Sequence, residues 1–229
     1  MRATRRAFLS GASAMAAVLG SAGAYAQKGK YDDGASDTEI KIGNANPYSG
    51  PASAYGVIGK AIDAYWKMVN DQGGVNGRKV KFITMDDGYS PPKAVEVVRQ
   101  LVEQEKVFAM FQTLGTPSNT AIQKYLNTKK VPQLFVATGA SKWGKPKEFP
   151  WTMGWQPDYH TEAVIYAKHI LDTVKDPKVA VLMQNDDYGK DYWEGFKEGL
   201  GKDANKVVKH VTYEVTDPTV DSQIIQLKD

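Results

Sequence analysis

Two strand-loop-helix units in succession, leading into a third strand, leave a chain few folds to choose from, and Ile40 to Phe111 reads that way. Ile40-Lys41-Ile42-Gly43-Asn44 is a short apolar run that stops at turn residues. The segment Asn46-Pro47-Tyr48-Ser49-Gly50-Pro51 is excluded from helix and central strand, because each proline lacks an N–H donor and biases the residue before it away from the α region. Ile58, Ala61, Ile62, Tyr65, Trp66 and Val69 then recur at the three- and four-residue spacing of an amphipathic helix. Gly73-Gly74-Val75-Asn76-Gly77 ends it, Val80 to Met85 is the next strand, and Ala94, Val97, Val98, Leu101 and Val102 repeat the helical stripe. Strands joined through helices are parallel, and parallel sheets place ligand sites at the carboxyl ends of their strands. The loops at 45–56 and 86–92 are therefore expected on one edge.

The rhythm continues through a strand at Val107–Phe111, a helix opened by Thr116 as cap and Pro117 as first residue, a strand at Val131–Val136 and a loop at Ala137–Ser141. This β-α-β-α-β-α-β order predicts an α/β fold with a doubly wound sheet. It breaks at Lys142–Asp158, which holds Pro146, Pro150 and Pro157 with Trp143, Trp151 and Trp155, and reads as a packed active loop or a domain crossover. Helix, strand (Val179–Met183), helix and strand (Val207–Tyr213) follow, and a last apolar stripe at Val220, Ile224 and Leu227 stops at Asp229. Two strands make a poor sheet alone, so a second domain cut short in this chain is expected.

Arg5-Arg6 with Phe8-Leu9, a small-residue apolar run from Gly11 to Ala24 and Ala24-Tyr25-Ala26 read as an export signal cleaved after Ala26, of twin-arginine or general secretory type. The mature protein is thus expected beyond the cytoplasmic membrane. The 29 basic residues less the three arginines of residues 1–26 leave 26, equal to the 26 acids. That balance gives no electrostatic footprint for nucleic acid. The absence of cysteine removes disulfides, thiolate metal sites and thiol nucleophiles together.

Reactive constellations are weak. Ser90-Pro91-Pro92-Lys93 has S-x-x-K spacing but no S-D-N or K-T-G companion, and it reads as a helix start. Gly139-Ala140-Ser141-Lys142-Trp143 lacks the closing glycine of a nucleophile elbow. His160, His169 and His210 are not spaced as a metal pair on a helix face. The pairs Asp86-Asp87 and Asp186-Asp187 sit at strand ends, where turn chemistry and a binding role are equally served by aspartate. No G-x-G-x-x-G follows a strand, so a dinucleotide enzyme has no support, and no P-loop is present either. Polar, glycine-containing loops on an α/β scaffold without a reactive set are the profile of a binding protein.

Lys41-Ile42-Gly43, Ser49-Gly50-Pro51, Tyr55-Gly56, Asn70, Gly73-Gly74-Val75-Asn76-Gly77-Arg78, Asp86-Asp87, Val131-Pro132, Ala137-Thr138-Gly139-Ala140, Phe149-Pro150-Trp151, Gln156-Pro157 and Asp187-Tyr188-Gly189 stand in order along the mature chain. This set resembles the extracytoplasmic substrate-binding proteins of branched-chain amino acid ABC transporters, over essentially the whole mature chain. The resemblance implies a type I periplasmic-binding fold: two Rossmann-like lobes, three crossovers, and ligand in the cleft. Residues 1–26 would be the signal, 27–37 a flexible lead-in, 38–157 the first lobe with the first crossover at Gln156-Pro157, and 158–229 a partial second lobe. It further implies a ligand carboxylate held by Leu114, Gly115, Thr116, Thr138, Gly139 and Ala140, with Tyr55 and Tyr188 facing the ligand. Such a receptor takes a small amino acid, an aromatic acid or a short amide, needs no cofactor, is a monomer by family default, and delivers its ligand to an ABC permease. Amino acid binders of the family commonly carry a hydroxyl residue where Gly115 stands, and the acid that meets the ligand's ammonium would lie beyond Asp229. The rival functions are a ligand-sensing module of the same fold and an exported hydrolase using Ser90 or Ser141.

Overall fold

A computed structural model describes residues 30–228; the expected export signal and cleavage site at residues 1–26 fall outside the described residues. Strands β1 (Glu39–Asn46), β2 (Lys79–Asp86), β3 (Ala109–Phe111), β4 (Gln133–Val136) and β5 (Thr152–Gly154) form one sheet in the order β2-β1-β3-β4-β5. Every pairing is parallel, with β1 and β2 in register from Glu39↔Lys79 to Asn46↔Asp86. A second, two-stranded parallel sheet pairs β6 (Val179–Gln184) with β7 (Val207–Tyr213). Parallel neighbours require crossovers. These are α1 (Gly56–Asp71), α2 (Pro91–Arg99, continued by a π-helical turn at Gln100–Gln104) and α3 (Thr116–Lys129) for the larger sheet. α4 (Tyr159–Thr173) leads into the smaller sheet, α5 (Asp187–Leu200) crosses it, and α6 (Asp221–Lys228) follows β7.

The doubly wound α/β expectation is thus met. The helical stripe Ala94, Val97, Val98 and Leu101 packs with Ala45, Met110, Ile122 and Leu126 into the main core on one face of the larger sheet. Each such buried aliphatic side chain contributes about 1.5–3 kcal/mol of transfer free energy. Four aromatic rings, Trp66, Phe111, Phe135 and Trp155, stand edge-to-face in series at centroid distances of 5.7, 5.9 and 5.5 Å.

Two local readings need correction. Strand β5 sits inside the proline- and tryptophan-rich break at Lys142–Asp158, which sequence reading gave no regular structure. Three residues are too few for a period, and what recruits them is a polar bond, Thr152 Oγ1 donating to Gln133 Oε1 at 3.0 Å. The cap of α3 is Gly115, with Thr116 already the first helical residue. Gly115 has φ +94, a conformation that excludes a β-carbon, so the cap is made by glycine backbone and not by a threonine side chain. Ser90 does occupy the cap position of α2, but its side chain makes no capping bond; Pro91 and Pro92 fill the first two helical positions, where no N–H is needed within the helix.

Helices α4 and α5 approach through glycine. A β-carbon on Gly195 would lie 2.2 Å from the His160 carbonyl oxygen, and one on Gly199 2.7 Å from the Val164 carbonyl oxygen. The two glycines, four residues apart, form one flat stripe that lets the backbones meet.

Candidate functional site

The carboxyl ends of β1, β2, β3 and β4 open onto one edge, and the loops that leave them are held in unusual backbone conformations. Tyr89 after β2, Gln112 after β3 and Phe135 at the end of β4 have φ of +59, +48 and +54. For large non-glycine residues this is costly, of order 1–3 kcal/mol each, and such strain concentrates at functional sites. Phe135 lies at an irregularity in the β4–β5 register, which absorbs its turn.

Two aspartates shape the loop after β2. Asp86 Oδ1 accepts from the N–H groups of Tyr48 (2.8 Å), Ser49 (3.1 Å) and Gly88 (3.0 Å), while Oδ2 accepts from Ser49 Oγ (2.5 Å) and Lys93 Nζ (2.8 Å). Partial desolvation works against ionisation here, but Lys93, Ser49, Gly88 and Tyr48 together hold the carboxyl well below the usual range. Asp86 is thereby the staple between the first and second loops. Asp87 differs. It is fully buried, its Oδ1 accepts from the Tyr89 N–H at 2.9 Å, and its Oδ2 has no partner. Burial pushes its pKa up.

The pair therefore has opposite pH linkage. The depressed carboxyl of Asp86 contributes stability above its unfolded pKa of about 3.9, lost as pH falls towards its folded value. The raised carboxyl of Asp87 binds its proton more tightly when folded, so its cost grows as pH rises above about 3.9 through the folded value. Asp87→Asn keeps the acceptor for Tyr89 and removes the buried charge. It is expected to leave stability unchanged near pH 4 and to raise it by about 1 kcal/mol at pH 8, read from urea unfolding at the two pH values.

On the next loops, Asn119 from the first turn of α3 donates to the carbonyls of Thr113 (2.9 Å) and Gly115 (2.8 Å) and accepts from Gln133 Nε2 (2.8 Å) and from Thr113 Oγ1. The Thr116 and Thr138 hydroxyls meet at 2.5 Å, and Thr138 also donates to Tyr159 Oη at 3.3 Å. From the smaller sheet, Asp186 caps α5 by accepting from the Tyr188 and Gly189 N–H groups at 3.0 and 3.2 Å, and Gln184 donates to it at 2.6 Å. Both aspartate pairs thus have structural work, Asp187 forming an ion pair with Lys142 at 3.0 Å; further along α5, Asp191 accepts from Ser141 N and Oγ at 2.6 and 3.0 Å.

A cavity of about 470 Å³ lies among these loops, bordered by both sheets. Tyr55, Leu114, Gly115, Thr116, Thr138 and Tyr188, all anticipated from sequence, line it. Gly139 and Ala140, anticipated with them, do not. Gly139 is turned towards the crossover, its carbonyl accepting from the Tyr159 N–H at 2.8 Å, and Ala140 is buried with Val136 and Trp143. Sequence reading missed Tyr89, Tyr159, Tyr192, Tyr213, Gln156 and Gln184, which also line the cavity. The signal was present: Tyr89 follows Asp86-Asp87-Gly88 directly and Tyr213 closes β7, both at strand carboxyl ends.

Six tyrosines therefore border one cleft, with Tyr159, Tyr188 and Tyr192 in mutual contact at 4.9–5.3 Å between centroids. Desolvation, first among the causes, raises the pKa of Tyr89, Tyr188, Tyr192 and Tyr213, so these hydroxyls are neutral donors at physiological pH. Among the described lining residues none carries a formal charge. The histidines stand elsewhere: His160 is 3.2 Å from Glu198, and His210 stacks on Trp193 at 4.4 Å. No cluster of histidine and carboxylate fit for a metal occurs among the described residues.

The fold and this edge define an α/β protein with a cleft at the carboxyl ends of its parallel strands. Residues 39–229 match the profile described as Periplasmic binding protein, and the chain belongs to that family. It is 26% identical over 200 residues to "Leu/Ile/Val-binding protein homolog 1" of Brucella abortus (strain 2308), covering 85% of this chain and 52% of that protein. In structure it is similar to a "Fatty acid ABC transporter substrate-binding protein from Thermomonospora curvata" (TM-score 0.73, 24% identity, 87% of this chain and 50% of that one). It is also similar to a solute-binding protein of an ABC transporter from R. palustris in complex with benzoate (TM-score 0.70, 24% identity, 82% and 52%). The fold is that of type I periplasmic binding proteins, and the chain spans about half the length of the relatives it matches.

Proposed function

We propose that the protein is an extracytoplasmic solute receptor that captures a small amino acid or carboxylate in this cleft and delivers it to an ABC permease. The cleft itself carries the reading: two parallel sheets turn their carboxyl edges to one cavity lined by neutral hydroxyls, backbone groups and aromatic rings. Few placed polar groups in an otherwise apolar concavity suit selective, reversible binding. The N-terminal turn of α3, with Leu114 to Thr116 and the Thr138 hydroxyl, is the place for the ligand's carboxylate. Closure of two lobes about a hinge, general among periplasmic binding proteins, would bury the ligand. The sequence relative is named for leucine, isoleucine and valine, and the structural relatives for fatty acid and benzoate.

Turnover is not part of this reading. Ser141 is engaged by Asp191, and no hydrogen bond among the described residues joins Ser90 or Ser141 to a histidine. Thermal unfolding of the full-length exported protein with leucine, isoleucine, benzoate, octanoate and acetamide tests the function. A true ligand at a hundredfold excess over its dissociation constant should add about 3 kcal/mol, a rise in Tm of several degrees. A folded protein that responds to none of them would sink the receptor reading.

A further inference from the structure

Tyr89 and Gly115 interlock at the carboxyl edge. A β-carbon on Gly115 would lie 2.4 Å from Cε2 of the Tyr89 ring and 3.1 Å from its Cδ2 and Cζ, so the ring fills the space that any side chain at 115 would need. Both backbones are bent to permit this, Gly115 at φ +94 and Tyr89 at φ +59. The second is secured by the buried Asp87 carboxylate, which accepts the Tyr89 N–H. A strained non-glycine residue, a buried acid that holds it and a glycine that makes room for it serve one outcome: an aromatic ring at the mouth of α3 in place of a small side chain. The same cavity is lined by the contacting set Tyr159, Tyr188 and Tyr192.

Resting on the receptor reading above, we propose that the Tyr89–Gly115 pair determines the ligand class of the cleft and selects a monocarboxylate with a flat aromatic body over a branched aliphatic one. Rings lie against rings through offset and edge-to-face contacts, so a flat ligand gains from Tyr89 and from the other tyrosines that line the cavity. A branched aliphatic side chain gains no such geometry and is held from the α3 turn by the Tyr89 ring. Tyr89 is the specificity-determining residue and Asp87 its positioning residue.

The test is calorimetric titration of the full-length protein with benzoate, 4-hydroxybenzoate, leucine and octanoate. Wild type is compared with Tyr89→Phe, Tyr89→Leu, Gly115→Ser and the Gly115→Ser/Tyr89→Leu double variant. Wild type should bind a benzoate at least about tenfold more tightly than leucine or octanoate. Tyr89→Phe should keep that order, whereas Tyr89→Leu and Gly115→Ser should each erase it. The double variant should be little worse than Gly115→Ser alone, because the serine has already displaced the ring, and groups in contact are not additive. Gly115→Ser acts on the same contact from the other side, so either variant decides the matter where the other does not fold. Preference of the wild type for leucine or octanoate, an unchanged order in the variants, or penalties that simply add would overturn the inference while leaving the receptor reading intact. Binding of nothing on the panel by folded wild type would overturn the receptor reading and this inference with it.

Discussion

Asn119→Ala is expected to lower stability by about 4 kcal/mol, a fall in Tm of roughly 10 °C for a domain of this size. The side chain is fully buried and spends both ends of its amide: Nδ2 donates to the Thr113 and Gly115 carbonyls, and Oδ1 accepts from Thr113 Oγ1 and Gln133 Nε2. Alanine replaces none of these and leaves groups stranded away from water, each at about 1–3 kcal/mol. The damage spreads along the chain of amides. Gln133 bonds to Thr152, and Asn127 reaches both Thr152 Oγ1 (2.8 Å) and the Trp151 N–H (3.0 Å), so β5 loses its anchor to β4. Since the Gly115 carbonyl is freed at the same time, ligand affinity should fall beyond what stability explains. Urea midpoints together with the binding titration would separate the two effects. A loss below about 1 kcal/mol would mean that water replaces the amide and that the network is not what orders the α3 turn.

Gly195→Ala is the second large effect, and its sign runs against helix propensity. In an open helix this change stabilises by about 1 kcal/mol. Here the new methyl would sit 2.2 Å from the His160 carbonyl oxygen and 2.8 Å from its carbonyl carbon, both backbone atoms without a rotamer to move. Helix α5 must back away from α4, and overpacking of this kind costs about 1–3 kcal/mol or more beyond the propensity gained. A net loss of about 3 kcal/mol is expected, with Gly199→Ala milder because the Ala167 side chain and the Val164 carbonyl stand farther off, at 2.7 Å. Thermal melts of both variants check the order. Stabilisation by Gly195→Ala would show that the helices are free to slide apart at no cost.

The sequence carried the larger sheet well because apolar runs and helical stripes there are long: β1 and β2 have eight residues each and α1 has sixteen. It could not carry β5, whose three residues join the sheet through an amide–hydroxyl bond that no period announces. The site divided along similar lines. Loop positions such as Leu114, Thr116 and Thr138 came from the family resemblance, and they agree with where parallel strands end. Gly139 and Ala140 share their loop with Thr138 but turn the other way, because a loop has no alternation to fix its facing. The tyrosine wall was hidden for another reason. Tyr159 and Tyr192 come from two helices, and only the packing of α4 on α5 brings their rings together at the cleft.

The series of rings from Trp66 through Phe111 and Phe135 to Trp155 has an optical consequence. Indoles and phenyls fixed edge-to-face in one handed arrangement give near-ultraviolet circular dichroism that vanishes when packing loosens, even if helices persist. Trp66 rides on the crossover helix and Trp155 stands two residues before Pro157, so these two of the five tryptophans report on the larger sheet from one flank to the exit towards α4, while Trp193, stacked on His210, reports on the smaller one. The clustered rings of Tyr159, Tyr188 and Tyr192, three of the twelve tyrosines, add a contribution from the cleft. Replacing Trp193 by phenylalanine would leave a tryptophan band drawn from the larger sheet and the segment that leaves it, so that loosening of that scaffold could be followed during a titration.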